Sequence, residues 1–157
     1  PFYYKSKIVG YTARWVPEHR PDSMPKYFNQ MPQNFVYNLD NQDKHNTVIV
    51  TEGQFDALQV GGVALAGNTP NTTQCKIIED LEKDIILLPD FDKSGMDTVS
   101  VAVKRGWTVS FPPWEDDIKD ASDAVQRYGR LFAVKSILDS RETNATKIKI
   151  LAKGRCR

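Results

Sequence analysis

The sequence predicts an α/β protein: a sheet of about four mainly parallel strands with helices on both faces, preceded by a small α+β subdomain. Three observations predict it. Short β-branched or aliphatic runs recur at 47–52, 63–68, 85–89 and 107–112. Stretches of helical periodicity lie between them, and glycines close two of those stretches, at Gly61-Gly62 and Gly106. Crossovers of this kind join parallel strands, and a parallel sheet is covered on both faces.

The elements follow in order. "KIVGYTARWV" (7–16) alternates enough for a long strand or a strand pair, "RPDSMP" is a loop, and "PKYFN" (25–29) is short and aromatic. Residues 1–46 therefore read as a small basic N-terminal subdomain. "TVIVTE" (47–52) is the first strand of the main sheet and ends at Glu52-Gly53. "QFDALQVGG" (54–62) has Phe55, Leu58 and Gln59 at helical spacing, and "VALAGN" (63–68) is the second strand. In "TTQCKIIEDLEKD", Cys75, Ile78 and Leu81 fall on a helical face, with Thr72 or Thr73 as the expected cap. "IILLP" (85–89), "GMDTVSVAVKRG" (95–106) and "WTVSFP" (107–112) give strand, helix and strand. After an acidic loop, "ASDAVQRYGRLFAVKSILDS" reads as one helix or as two broken at Gly129. The main domain is taken as 47–128, and 129–157 as a C-terminal helix with a basic tail, "TKIKILAKGRCR", expected to be poorly ordered.

Composition narrows the class. At 157 residues the chain is long enough for one domain with a real core, or for one domain plus a small satellite, and no apolar run approaches a membrane span. Two cysteines are too few for a zinc site or a disulfide framework, so a reducing, cytoplasmic setting is expected. The chain does not begin with Met and is expected to be a piece of a longer one. The net charge of +1 hides a segregation. Residues 47–123 carry fourteen Asp/Glu against six Lys/Arg, whereas 124–157 carry nine Lys/Arg against two Asp/Glu. An acidic middle between basic flanks suggests a carboxylate site served by arms that meet phosphates.

The acidic residues cluster at strand ends. Glu52 ends the first main strand, Asp90 and Asp92 follow the third, and Asp120 and Asp123 follow the fourth. In a parallel sheet those ends share one edge, so residues far apart in sequence converge. Converging like charges need compensation, and a hard divalent cation held by carboxylate oxygens, waters and substrate phosphates is the usual one. Each piece has a plainer reading: a turn for the D-x-D, and a helix cap for Asp120 or Asp123.

"VIVTEGQFDAL", "ILLPDFDKSG" and "IKDASDAV", in that order and spacing, resemble the three signatures of a TOPRIM domain, a module of bacterial-type primases, topoisomerases and some nucleases. The resemblance covers about residues 47–128 and implies a Rossmann-like TOPRIM sheet. It places the family's glutamate on Glu52, its D-x-D on Asp90 and Asp92, and further acidic positions on Asp56 and Asp120. "IVGYTARW" followed by "PKYFN" is similar to the catalytic core of primases, particularly phage primases and primase-helicases, in which a small basic subdomain precedes TOPRIM. Related primases carry a further lysine after this element, and "QMPQNFVYNLD" has none.

The resemblance implies the RNA-polymerising core of a DNA primase, a nucleotidyltransferase acting in a bacterial or phage-infected cell. It implies Mg²⁺ or Mn²⁺ held by Glu52, Asp56, Asp90, Asp92 and Asp120, with Glu52 either a ligand or a general acid/base. Arg14, Lys26 and Lys93 are the expected contacts to template or nucleotide phosphates. The implied partners are a single-stranded DNA template, ribonucleoside triphosphates, a replicative helicase, and a zinc-binding domain outside these residues. A TOPRIM nuclease using the same carboxylates, or a non-catalytic nucleic-acid-binding module, remains open at this point.

Overall fold

The computed structural model describes residues 1–67 and 69–156. The chain begins with a three-stranded antiparallel meander, β1 (Phe2–Tyr4), β2 (Lys7–Arg14) and β3 (Tyr27–Gln30). Lys5 and Ser6 both take positive φ, 48° and 62°, and make the tight turn between β1 and β2. Such turns match the right-handed twist of a hairpin. The helical part of this subdomain amounts to two 3-10 turns, Pro17–His19 and Leu39–Asn41. "KIVGYTARWV" is thus one strand paired on both sides rather than a strand pair.

The main sheet runs β5 (Val63–Ala64), β4 (Thr47–Thr51), β6 (Asp84–Leu87), β7 (Thr108–Ser110), β8 (Arg141–Glu142). The first four are parallel; β8 adds an antiparallel edge that the sequence did not signal. The strand candidate at 63–68 shortens to two residues because Ala66 turns into the left-handed region (φ 50°), and Asn68 lies outside the described residues. β4 is followed by β5 on one side and by β6 on the other, so the winding reverses between β4 and β6. Ligand crevices of open α/β sheets lie at the carboxyl ends of strands flanking such a reversal.

Strand alternation builds two cores. Val48, Val50, Leu87 and Val109 face one side, against α2 (Thr72–Glu79), α3 (Gly95–Arg105) and α6 (Ala145–Arg155). Ile49 and Ile86, with Leu88 just past β6, face the other, against α1 (Gln54–Val60), α4 (Ala121–Tyr128) and α5 (Arg130–Asp139). The cap of α2 is Asn71, not Thr72 or Thr73: its side chain accepts from Thr73 and Gln74 N–H, and Gln74 answers back to the Asn71 N–H. Gly129 separates α4 from α5 at φ 82°, a conformation that disfavours a side chain.

The small sheet is tied to the large one. Phe2 is buried against Phe35 and Tyr37, with ring centroids 5.4 and 5.7 Å apart. Tyr37 bridges to Ala64 of β5, and the Gln74 amide donates to the Phe35 and Leu65 carbonyls at 2.9 Å.

The C-terminal segment corrects the sequence expectation. What reads as a poorly ordered basic tail is helix α6, capped by Asn144, with Ile148 and Ala152 in the first core; only Arg157 lies outside the described residues. The lysines that make it look like a tail are its exposed face, whereas Ile148 and Ala152, four apart, are the buried one. Replacing Ile148, 1% exposed, by alanine is expected to cost about 2–5 kcal/mol in urea unfolding. The exposed neighbour Lys149→Ala is expected to stay within about 0.5 kcal/mol of the parent.

Candidate metal and phosphate site

Three loops at the carboxyl ends of β4, β6 and β7 build one cleft of about 610 Å³. Glu52, Asp56, Asp90 and Asp120 line it, with Ser94 and Ser122 among them; Arg14, Tyr27 and Asn29 of the small sheet line it as well. A groove of about 670 Å³ at the amino-terminal end of β4 is lined by Lys44, Val60, Leu131 and Val134 among others and contains no carboxylate.

The backbone explains how the carboxylates arrive. The Thr51 hydroxyl donates to the Gly53 carbonyl at 2.9 Å and fixes the turn after β4. A Cβ at Gly53 would stand 2.5 Å from Asp56 Oδ2, so glycine there makes room for the Asp56 carboxylate one helical turn on. Asp56 Oδ1 accepts from both the N–H and the hydroxyl of Ser122, each at 2.8 Å, joining α1 to the first turn of α4. Gly95 opens α3 close behind the Asp90 backbone. A Cβ there would meet the Asp90 carbonyl at 2.1 Å, so glycine permits a close backbone approach. The Phe91 N–H donates to the Lys119 carbonyl at 2.9 Å and ties the D-x-D loop to the loop that carries Asp120.

Each carboxylate is differently engaged. Asp92 is exposed and does not line the cleft; its Oδ1 accepts from the Ser94 N–H (2.8 Å), the Ser94 hydroxyl (2.7 Å) and the Gly95 N–H (3.3 Å) at the start of α3. Those bonds, Ser94 first, hold its pKa below the ordinary aspartate value. Asp120 is the N-cap of α4, accepting from the Asp123 N–H at 2.8 Å, so the capping reading of this residue holds while it also lines the cleft. Asp123 accepts instead from the Lys119 N–H at 3.3 Å and does not line the cleft. Glu52 is 7% exposed; its Oε2 lies 3.4 Å from the Ser94 hydroxyl, and its Oε1 is buried with no hydrogen-bond partner among the described residues.

The electrostatics are those of an uncompensated cluster. Asp90 is pushed up to about 8, first by burial and then by the charges of Glu52, Asp56, Asp120 and Asp92. Burial likewise raises Glu52 and Asp120, against opposing hydrogen bonds. Among the described residues, no basic side chain is among the main influences on Glu52, Asp90 or Asp120. Among the described residues, no group of three or more His, Cys, Asp or Glu side chains is arranged to hold a metal ion as it stands. The donor set nevertheless fits a hard divalent cation. It is all carboxylate and hydroxyl oxygen, it includes an orphaned buried Oε1 on Glu52, and it repels itself without an added positive charge.

The remaining expected residues are placed as follows. Arg14 lies across β2–β3 from Tyr27, its guanidinium 5.5 Å from the ring centroid. Lys26 holds its Nζ 5.7 Å from the same ring but does not line the cleft. Lys93 is exposed between Asp92 and Ser94 and also stands outside the lining. His19 and His45 are exposed. Sequence reasoning missed Ser122 and Asn29. Nothing in the order of residues pairs 56 with 122, and Asn29 reaches the cleft only because β3 pairs with β2.

The chain has the fold of bacterial primase catalytic cores. The Aquifex aeolicus primase, solved with its zinc-binding and RNA polymerase domains, matches with a TM-score of 0.68 at 19% identity, over 87% of this chain and 38% of that one. A DnaG primase catalytic domain bound to single-stranded DNA matches at 0.68 and 18% identity, over 92% and 51%. A DNA primase domain from Pseudomonas aeruginosa matches at 0.67 and 18% identity, over 86% and 48%. The chain thus spans between 38% and 51% of these solved chains. No protein-family model matches it, and no curated protein matches it in sequence. Among the described residues no helix is long and apolar enough to cross a membrane.

The raised Asp90 carboxyl sets the sign of a pH dependence. Between the ordinary aspartate value of 3.8 and about 8, the folded form keeps a proton that the unfolded chain has released, so raising the pH favours unfolding. Without divalent ions, the urea midpoint is therefore expected to fall as pH rises from about 5 to 8, and Asp90→Asn to flatten that decline. A midpoint that rises over the window in the unsubstituted chain contradicts the assignment.

Proposed function

We propose that the chain is the RNA-polymerising core of a DNA primase of bacterial or phage type. In this reading it adds ribonucleotides to a primer on single-stranded DNA with Mg²⁺ or Mn²⁺. One observation carries the reading: carboxylates from three strand-end loops meet in a cleft whose lining also includes the basic and aromatic pair Arg14 and Tyr27. Acidic clusters alone fit many roles; a carboxylate cluster with an arginine in the same cleft suits a substrate that is a polyphosphate on one side and a nucleic-acid backbone on the other.

Glu52, Asp90 and Asp92 are the central metal-holding and catalytic groups, and Asp56 and Asp120 complete the set. A divalent cation held there would supply charge neutralisation for phosphoryl transfer. The protein's own part is to position. Asp56 is fixed by Ser122, Asp92 by Ser94 and Gly95, and Asp120 by its cap, each through Oδ1. Burial and the neighbouring carboxylates raise Asp90 to about 8, so a cation held there would favour release of its proton. Glu52, its carboxyl raised by burial, serves as a ligand or takes the proton of the primer 3′-hydroxyl. Arg14, Lys26 and Lys93 meet nucleotide or template phosphates. Single-stranded DNA, ribonucleoside triphosphates, a helicase and a separate zinc-binding domain are the partners of this reading, in the cytoplasm of a bacterial or phage-infected cell.

Extension of an oligoribonucleotide annealed to single-stranded DNA tests it without requiring initiation. The chain is expected to add ribonucleotides with Mg²⁺ or Mn²⁺, and Asp90→Asn and Asp92→Asn to lower the rate at least about a hundredfold. Cleavage of DNA without any synthesis would replace a primase by a nuclease. For Arg14→Ala, binding of single-stranded DNA is expected to weaken for all sequences alike, with the slope of log affinity against log salt reduced by about one. An unchanged slope removes Arg14 from the phosphate path.

A further inference from the structure

Arg155, in the last turn of α6, sits behind the acidic cluster and touches two of the loops that form it. Its Nη1 donates to the Trp114 carbonyl at 3.1 Å and its Nη2 to the Pro112 carbonyl, both in the segment that runs from β7 towards Asp120. Its guanidinium also lies 5.3 Å from the ring centroid of Phe91, the residue between Asp90 and Asp92. Phe91 in turn packs against Trp114, with ring centroids 5.9 Å apart, and reaches both hydrophobic cores. The neighbouring Cys156 is buried, and its thiol is raised by burial and then by Asp92, Glu52 and Asp90, which places the end of α6 against the back of the cluster. Arg155 is nonetheless absent from the main influences on Glu52, Asp90 and Asp120, so its role is not to neutralise them.

We propose that Arg155 is a positioning residue: it clamps the Asp90–Asp92 loop to the loop bearing Asp120 and so sets the spacing of the carboxylates in the cleft. The geometry suits arginine. Two N–H groups reach two carbonyls while the guanidinium carbon stands over an aromatic ring, a combination lysine does not reproduce; Nη1 also lies 3.7 Å from Asp116 Oδ1 in the same segment. The Phe91 N–H to Lys119 carbonyl bond is the seam that this clamp holds shut. The basic C-terminal segment thereby acts on the site through the fold, in addition to any charge it presents on its exposed face.

The test has two arms, on the chain and its Arg155→Met, Arg155→Lys and Lys153→Met variants. The first is amide hydrogen exchange without divalent ions, and it does not depend on the primase reading. Arg155→Met is expected to speed exchange of the Phe91 amide at least about tenfold relative to the buried β4 amide of Ile49. Arg155→Lys should fall between, and Lys153→Met should match the parent. Equal Phe91 exchange in Arg155→Met overturns the clamp. If that variant does not fold, Arg155→Lys decides: faster exchange at Phe91 than in the parent supports the clamp, and parental exchange overturns it. The second arm is a Mn²⁺ titration by calorimetry and rests on the proposed function. Arg155→Met is expected to bind at least about tenfold more weakly, as when a group behind the ligands is removed. Parental affinity in a folded Arg155→Met overturns the inference that the clamp sets the carboxylates. A parent that binds no Mn²⁺ overturns the metal reading itself, leaving the clamp to stand or fall on the exchange data.

Discussion

The structure depends on one constraint: four carboxylates that repel each other are held in one cleft by a sheet that brings their strand ends to a common edge. Asp90 bears the consequence most plainly, because burial and four neighbouring charges push it up to about 8. Among the described residues, no basic side chain is among the main influences on Glu52, Asp90 or Asp120. The fold tolerates the repulsion because the loops are fastened elsewhere: Asp56 to Ser122, Asp92 to Ser94 and Gly95, Phe91 to Lys119, and the two cores beneath. Stability lost at the site is offset by burial in the two aliphatic layers, as is common where strain and repulsion gather at functional positions.

This arrangement gives the two halves of the chain different work. The main sheet supplies Glu52, Asp56, Asp90 and Asp120, and the small antiparallel sheet supplies Arg14, Tyr27 and Asn29 to the same cleft. Tyr27 faces two cations, the Arg14 guanidinium and the Lys26 ammonium, within 5.7 Å of its ring. The pairing Arg14↔Tyr27 in β2–β3 is what brings the arginine and the ring together, so a shift of that register by one residue would turn the arginine to the opposite face. The reversal of winding between β4 and β6 puts Glu52 on one side of the crevice and the D-x-D on the other.

Much of this was legible in the sequence where the signal is local or periodic. β4 and β6 are β-branched or aliphatic runs between polar turns, and the sheet edge that gathers Glu52, Asp90 and Asp120 follows from parallel topology alone. Other features depend on where the chain folds back, which no local pattern records. β8 is two polar residues that become a strand only by pairing with β7. Ser122 holds Asp56 across 66 positions of sequence. The last segment misled because its lysines outnumber the two small and aliphatic residues, Ile148 and Ala152, that decide its packing. Asp120 shows that the plain and the functional readings are compatible, since one oxygen caps a helix while the residue lines the cleft.

The central claim is that the cluster around the unpartnered Glu52 Oε1 is completed by a divalent cation. Anomalous diffraction from crystals of the chain grown with Mn²⁺ tests it most directly. The account predicts a manganese peak within ordinary ligand distance, about 2.0–2.3 Å, of carboxylate oxygens of Glu52 and Asp90. A map with no peak in the cleft, in crystals where Mn²⁺ is bound elsewhere on the chain, would contradict it.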